Sequence, residues 1–321
     1  MSADIIFAIA VTIMTAATPL LLAAIGELVV ERSGVLNLGV EGMMIIGAIA
    51  GFAGAQLTGS ATAGILFAVG AAMLLSVLFA LLVLVMAANQ VATGLSITLL
   101  GLGLSGLIGN AYIGLPGLKL PKMDIPWLTD LPYIGQLLFG HDILVYASFA
   151  LAFGVSWFLF KTRAGLILRA VGDNHGSAHA IGYPVLLVRF LAILFGGACA
   201  GLAGAYLSLS YTTQWIEGMS AGRGWIALAL VVFASWRPMR AIAGAYLFGS
   251  VLILQIHAQA LGFNVPTQFL SALPYLATIL VLILISRNRR LVQTNTPACL
   301  CLLYTSPSPR DLSTSRMPSS A

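Results

Sequence analysis

Charged residues are scarce in this sequence. Asp, Glu, Lys and Arg make up 8% of the 321 residues, whereas hydrophobic residues make up 60%. An ordinary soluble domain carries about 25% charged residues, so this composition excludes a soluble fold. Several apolar stretches reach the roughly 20 residues that a helix needs to cross a bilayer, and the 34 glycines suit close helix packing in lipid. The sequence therefore predicts an all-α, polytopic membrane protein.

The sequence also lacks the motifs of an enzyme. It contains no Gly-Lys pair, so a phosphate-binding loop GxxxxGK[ST] is absent and ATP energy has to come from another subunit. The three cysteines, Cys199, Cys299 and Cys301, form neither a CxxC metal site nor a disulfide framework. His175 and His179 lack the Glu of an HExxH zinc site. We therefore predict no catalytic residue, no metal and no cofactor.

Nine apolar segments are predicted to cross the membrane. The N-terminus has no basic region, so the first segment is interpreted as a membrane helix and not as a cleavable signal peptide. Residues 26–40 mix charge, glycine and apolar residues, as a broken or re-entrant helix does. The fold class is thus a bundle of about 8–10 membrane helices that includes this segment. The predicted spans are 5–25, 40–57, 61–87, 91–112, 142–160, 186–209, 223–235, 241–258 and 270–286.

The basic residues indicate the cytoplasmic side of the membrane. They are scattered singly between apolar spans, so the net charge of +5 does not favour a nucleic-acid partner. Arginines also follow two later spans, which fits one cytoplasmic side. The side of the N-terminus stays open, because it depends on whether 26–40 is cytoplasmic or re-entrant. The connection after the fifth predicted span carries Lys161, Arg163, Arg169 and Arg189.

The chain is predicted to consist of a permease domain and a tail. Residues 1–290 form the transmembrane domain, in which 161–185 is a cytoplasmic loop, and residues 291–321 form a disordered tail. From about Cys301 the tail is rich in Ser, Pro and Thr, a composition that cannot bury a core. This stretch also resembles translated adapter sequence, so we expect it to be non-native and without function.

Four charged residues at membrane depth lie in or beside segment 26–40. They are Glu27, Glu31, Arg32 and Glu41, and such charges are costly in lipid. In one interpretation they form an ion-pair cluster, with Arg32 balancing a neighbouring glutamate. In the other, Asn37 and Glu41 offer hydrogen bonds to a polar solute that crosses between helices.

A polar run enters the fourth predicted span. Asn89, Thr93 and Ser96 are spaced so that a helix places all three on one face, where they could line a path. The alternative is that such hydroxyls bond backbone carbonyls of their own helix. Both interpretations remain open from the sequence.

Residues 161–189 (KTRAGLILRAVGDNHGSAHAIGYPVLLVR) predict a long cytoplasmic connection that contains a short amphipathic helix. A passive channel has little need of such an element. A protein driven by a soluble ATPase needs a short rigid helix that lies in a groove of the partner. An ordinary interfacial helix is the alternative.

Three motifs resemble the permeases of the branched-chain amino acid and simple-sugar ABC importer family, in particular its nucleoside-uptake branch. They are GELVVERSGVLNLGVEGMMIIGA (26–48), TRAGLILRAVGDNHGSAHAIGYPV (162–185) and GRGWIALALVVFASWRPMRAIAGAYLFG (222–249). His175 stands where that family commonly has proline, and Trp225 where it commonly has phenylalanine. These two departures leave the assignment intact.

The resemblance implies three protein partners: a second, related permease, a cytoplasmic ABC ATPase subunit and an extracytoplasmic substrate-binding protein. It also implies that this chain carries a coupling helix, which would dock on the ATPase. The residues that match this helix are Arg169, Ala170, Gly172, Asp173, Asn174, Ala178 and Gly182.

The predicted function is therefore ATP-driven import of a small polar solute across the bacterial inner membrane. Nucleosides are the expected solutes, on the resemblance alone. An ion-gradient-driven secondary transporter, with Glu41 as its acid, is the alternative. An intramembrane enzyme is a third possibility, but no catalytic pair stands out.

Overall fold

The computed structural model describes residues 3–123 and 139–260, the segment 296–302, and single positions between 269 and 283. Regular structure in these residues is helical. In chain order the helices are α1 (Ala3–Arg32), α2 (Val40–Thr58), α3 (Ala61–Ala80), α4 (Gln90–Gly109), α5 (Ile143–Lys161), α6 (Arg163–Asp173), α7 (His175–Ala180), α8 (Val185–Tyr206), α9 (Arg223–Phe233), α10 (Pro238–Ala260) and α11 (Ala298–Leu302). Helices α3 and α8 continue into the π-helical turns Leu81–Val85 and Leu207–Tyr211.

Within the described part of the chain, seven helices are long and apolar enough to cross a membrane: α1, α2, α3, α4, α5, α8 and α10. They confirm the predicted polytopic bundle. The predicted span 223–235 is helix α9, whose 11 residues extend about 16 Å at 1.5 Å per residue, too short to cross. More than half of the predicted span 270–286 lies outside the described residues, as does the predicted tail beyond Leu302.

Helix α2 lies at the centre of the bundle, where it packs against α3, α4 and α8. Small residues make this packing possible. A Cβ on Gly47 would lie 2.8 Å from the Cα of Gly201 on α8, and one on Gly101 of α4 would lie 2.6 Å from the carbonyl oxygen of Gly42. In lipid, where apolar surfaces gain little from mutual burial, such close backbone approach is the main source of helix association.

The break between α1 and α2 is shorter than the predicted segment 26–40. Helix α1 continues to Arg32 and ends with Gly34 in the left-handed region, at φ +84°. The Gly34 N–H donates to the Glu31 carbonyl, and the Val35 N–H to the Val30 carbonyl, which is the Schellman arrangement. Residues 33–39 then cross the interior almost fully buried. The irregular backbone is therefore surrounded by protein, as membrane depth requires.

Candidate functional site

The connection between α5 and α8, which the sequence predicts to be cytoplasmic, contains two short helices, α6 and α7, whose ends are set by local side chains. Thr162 Oγ1 accepts a hydrogen bond from the Gly165 N–H at 3.0 Å and caps α6. Asn174 Oδ1 accepts from the Ser177 N–H at 3.0 Å and caps α7. Gly182, at φ +94°, closes α7 in a second Schellman arrangement with Tyr183. The connection is thus an ordered, two-helix element.

The residues that match a coupling helix divide between two faces of this element. Gly172 and Ala178 are buried against the bundle, and Arg169 is half-buried. The guanidinium of Arg169 lies 5.2 Å from the centre of the Phe160 ring. The exposed group consists of Ala170, Asp173, Asn174 and Gly182. One face is therefore fixed to the membrane domain and the other is accessible.

Gly172 lies directly on the end of α1. A Cβ at this position would overlap the carbonyl oxygen of Arg32 and would lie 3.2 Å from the amide nitrogen of Gly34. Beside this contact, Nε of Arg189 donates to the Ser33 carbonyl at 3.1 Å, so a cation satisfies the C-terminus of α1. Helix α6 is therefore in direct backbone contact with the last turn of α1.

The last turn of α1 in turn holds the connection between α9 and α10. Oε2 of Glu31 accepts a hydrogen bond from the indole Nε1 of Trp236 at 2.5 Å. Nε and Nη2 of Arg32 donate to the Trp236 carbonyl at 3.2 and 3.1 Å. Among the described residues, Arg32 thus hydrogen-bonds a backbone carbonyl and not a neighbouring glutamate. The interpretation in which Arg32 forms an ion pair with a neighbouring glutamate is therefore wrong.

Ser235 and Trp236 both adopt left-handed backbone conformations, with φ of 50° and 53°. Two consecutive non-glycine residues in this region are costly. The contacts of Glu31 and Arg32 with Trp236 supply a reason for the turn to persist. The C-terminal end of α9 is therefore fastened to α1.

Replacing Trp236 with phenylalanine is expected to lower the free energy of unfolding by about 1–3 kcal/mol, because the buried Glu31 carboxylate loses a donor. Thermal unfolding in detergent measures this change. The control is Trp225→Phe on α9, where the side chain is 41% exposed. Equal stability of the two variants would contradict a fastening role for Trp236.

The N-terminal end of α9 is held by Glu41, the second residue of α2. Its Oε1 accepts from Ser220 Oγ at 2.6 Å and from the Gly222 N–H at 2.9 Å, and its Oε2 accepts from the Gly224 N–H at 2.6 Å. These amides are among those that a helix N-terminus leaves unpaired, and its dipole favours a carboxylate. Glu41 therefore caps α9 from another helix, a role that its sequence neighbourhood does not reveal.

Gly224 is the counterpart of this cap. A Cβ at Gly224 would lie 2.7 Å from Oε2 and from the backbone nitrogen of Glu41. Gly222 and Gly224, on either side of Arg223, thus leave room for the Glu41 carboxylate at the end of the helix. Together, Glu41 at one end and Glu31 with Arg32 at the other attach α9 to both sides of the break.

Asn37 lies inside the break and is fully buried. Its backbone N–H donates to Oε1 of Glu27 at 3.0 Å, and its side-chain Oδ1 accepts from the Gly39 N–H at 2.9 Å. Oε2 of Glu27 has no hydrogen-bond partner among the described residues. The polar groups of Asn37 are thus engaged in shaping the break.

The three polar residues of the α4 region have different surroundings. Asn89 is exposed and caps α4 by accepting from the amides of Val91 and Ala92. Thr93 is buried, whereas Ser96 is exposed and donates to the Ala92 carbonyl at 2.8 Å. The Ser96 bond is the one expected if the hydroxyl serves its own helix.

Two further α4 residues, to which the sequence assigned no role, form hydrogen bonds with the backbone of the break. Oε1 of Gln90 accepts from the Leu36 N–H at 2.9 Å, and Oγ1 of Thr98 donates to the Leu38 carbonyl at 3.0 Å. Their positions in a polar run were the available signal. Because their partners lie some 54 and 60 residues earlier in the chain, the sequence did not identify these contacts.

Comparison with known proteins identifies the family. The family described as branched-chain amino acid transport system / permease component matches residues 9–285. A Haloferax volcanii protein provisionally named as the glucose ABC transporter permease TsgC13 is 40% identical over 312 residues, which cover 90% of this chain and 94% of that protein.

Two further relatives carry names that refer to nucleosides. The guanosine ABC transporter permease protein NupQ of Bacillus subtilis is 33% identical over 83% of this chain and 88% of its own length. The nucleoside ABC transporter permease protein NupC of Lactococcus lactis subsp. cremoris is 30% identical over the same shares. The resemblance of the three motifs is thereby confirmed. The chain belongs to the branched-chain amino acid transport permease family, as a multi-pass membrane subunit of an ABC transporter for small polar solutes.

Proposed function

We propose that this chain is one of two related permeases in an ATP-driven importer of nucleosides. The observation that carries this proposal is the two-faced cytoplasmic element α6–α7. One face packs on the end of α1 through Gly172, and the other is accessible to a soluble partner.

The accessible face has the properties of a docking surface for the ATPase. Ile181, just after α7, is 75% exposed, and Tyr183 is also exposed beside Gly182. Ala170, Asp173 and Asn174 of the same element add small and polar groups that are also exposed. Apolar side chains with a polar rim are the usual composition of a protein interface.

Motion of α6 would reach the membrane domain in two steps. Closure of the ATPase on ATP would move Gly172 against the backbone of Arg32. Arg32 and Glu31 would then shift Trp236, and with it the short helix α9. A short helix fastened at both ends can move as a unit, so the permease pair can alternate between two packings.

The polar residues near the break would have two different roles in the translocation pathway. Asn37, Glu41 and Thr93, which are buried, would hold the break and α9 in position as the wall of the path. Asn89 and Ser96, which are exposed on α4, would be the side chains available to a solute. Their weak, neutral hydrogen bonding would permit release, and the solute crosses chemically unchanged.

The relatives NupQ and NupC favour nucleosides, because their names refer to guanosine and to nucleosides. The name of the Haloferax relative refers to glucose, which makes a simple sugar the second candidate. Both solutes are polar and uncharged, as the neutral side chains Asn89 and Ser96 would suit.

Uptake measurements distinguish these candidates. Radiolabelled nucleosides and glucose are supplied to cells that express the chain with its ATPase, second permease and binding protein, with either an intact or a Walker-lysine-substituted ATPase. We expect nucleoside uptake that disappears with the substitution. Uptake of glucose alone would reassign the solute.

The same experiment tests the secondary-transporter alternative. Uptake that survives the ATPase substitution and collapses with an uncoupler would replace ATP drive with an ion gradient. The structure offers this alternative little support at Glu41, because both carboxylate oxygens already accept hydrogen bonds from the start of α9.

A further inference from the structure

A cleft of about 660 Å³ opens between α5, α6 and α8, with Val29 of α1 at its back. Every residue that lines it is apolar, and none carries a hydroxyl or an amide side chain. A polar solute would find no hydrogen-bond partner among these side chains. The cleft is therefore unsuited to the transported molecule and suited to hydrocarbon.

Small residues keep this cleft open. Ala147, Ala150 and Gly154 of α5 face Ala164 of α6 and Ala192 of α8 across it. A Cβ built at Gly154 would meet no other atom within 4 Å. Gly154 thus differs from Gly47 and Gly101. Its lack of a side chain leaves open space, whereas theirs allows a neighbouring helix to approach closely.

One end of the cleft is bordered by positive charge. Lys161 is the last residue of α5 and Arg163 the first residue of α6. Both side chains are exposed, and Arg163 precedes the lining residue Ala164. No acidic residue lies between Ile143 and Gly172. An anionic group at this end would therefore meet attraction from both side chains, with no acidic residue in the same stretch of the chain.

We propose that this cleft binds one anionic phospholipid, with an acyl chain between α5, α6 and α8 and its phosphate at Lys161 and Arg163. Basic residues at the cytoplasmic end of membrane helices attract anionic headgroups in this way. Ala164, Ile167 and Leu168 of α6 form part of the cleft wall. The lipid would thus pack against α6, the helix whose Gly172 contacts α1. This proposal does not depend on which solute is transported.

Native mass spectrometry of the protein purified in a mild detergent tests the acyl-chain site. We expect one retained phospholipid on the unmodified chain and loss of most of it in the variant Gly154→Leu, whose side chain fills the cleft. The matched control is Gly103→Leu on α4, because Gly103 is also exposed and a Cβ there also meets no atom within 4 Å. Retention by the control and loss by the cleft variant support the proposal.

Exchange into phosphatidylglycerol or phosphatidylcholine nanodiscs tests the headgroup site. We expect a roughly 30-fold preference for phosphatidylglycerol. Each basic residue near the membrane surface contributes about 1 kcal/mol of attraction, and about 2 kcal/mol for two residues corresponds to this ratio. The double variant Lys161→Gln with Arg163→Gln should abolish this preference. Both side chains are exposed, so this variant should fold even if Gly154→Leu does not.

Three outcomes would overturn the proposal. The first is that the unmodified chain retains no phospholipid. The second is that retention is equal in all variants, or shows no headgroup preference. The third is that Gly154→Leu separates the chain from its partner permease without changing lipid content, which would make the cleft a protein interface.

Discussion

Replacing Gly172 with leucine is expected to abolish transport while the chain still inserts into the membrane. The new side chain would overlap the Arg32 carbonyl, and a backbone atom at a helix end cannot move aside as a side chain can. We estimate a cost of about 3 kcal/mol for α6 in its present position, so α6 would leave the end of α1. Uptake in cells and co-purification with the ATPase measure the two consequences.

Both uptake and ATPase co-purification should fall, because a displaced α6 presents its accessible face at the wrong place. Gly176→Leu is the control, since Gly176 is exposed in the same element and a Cβ there makes only an ordinary contact at 3.5 Å with Asn174 Oδ1. Normal uptake by the Gly172 variant would show that α6 does not act through α1. Normal co-purification with lost uptake would limit the role of Gly172 to transmission within the membrane domain.

Replacing Glu41 is expected to loosen the start of α9. In Glu41→Ala, two buried donors and one partly buried donor lose their acceptor, which should lower the free energy of unfolding by about 3–5 kcal/mol. In Glu41→Gln the Oε1 bonds can persist, but the amide Nε2 would face the Gly224 N–H, donor against donor. We expect the free energy of unfolding of this variant to fall by about 2 kcal/mol. Thermal unfolding and hydrogen exchange of the 222–226 amides measure the effect.

The matched control for Glu41 is Glu217→Gln, a carboxylate that is exposed in the connection before α9. It should leave both stability and amide exchange unchanged. Uptake by the Glu41 variants should fall together with protection at 222–226. Lost uptake with full protection at these amides would instead show that Glu41 contacts the solute itself.

Local signals in the sequence predicted much of the fold. Runs of apolar residues located the membrane helices, because a bilayer selects by length and polarity. The connection 161–189 was predicted to contain one short amphipathic helix; the structure has two, α6 and α7, whose caps at Thr162 and Asn174 were not predicted. The charged residues Glu27 and Glu31 made the first span look shorter than α1 is. Their carboxylates bond Asn37 and Trp236, so the helix continues through them.

The candidate site was predicted less completely. The sequence identified the cytoplasmic element and most of the charged residues around the break. It did not indicate that Gly172 faces α1 while Asp173 faces away, or that Glu41 serves α9. The partners of Glu41 lie about 180 residues further along the chain, and no local pattern reports such a separation.

The sequence alone determined that this chain is a helical membrane protein without a nucleotide-binding loop motif, and it predicted a short amphipathic helix in the connection 161–189. Composition, apolar run length and helical periodicity act within a few helical turns, so they can be interpreted without a fold. The tertiary structure alone decided that the break, the cytoplasmic element and α9 form one connected unit, and that α5, α6 and α8 leave a cleft beside it. These features arise from helix packing, in which residues distant in sequence compete for the same space and the same hydrogen-bond partners.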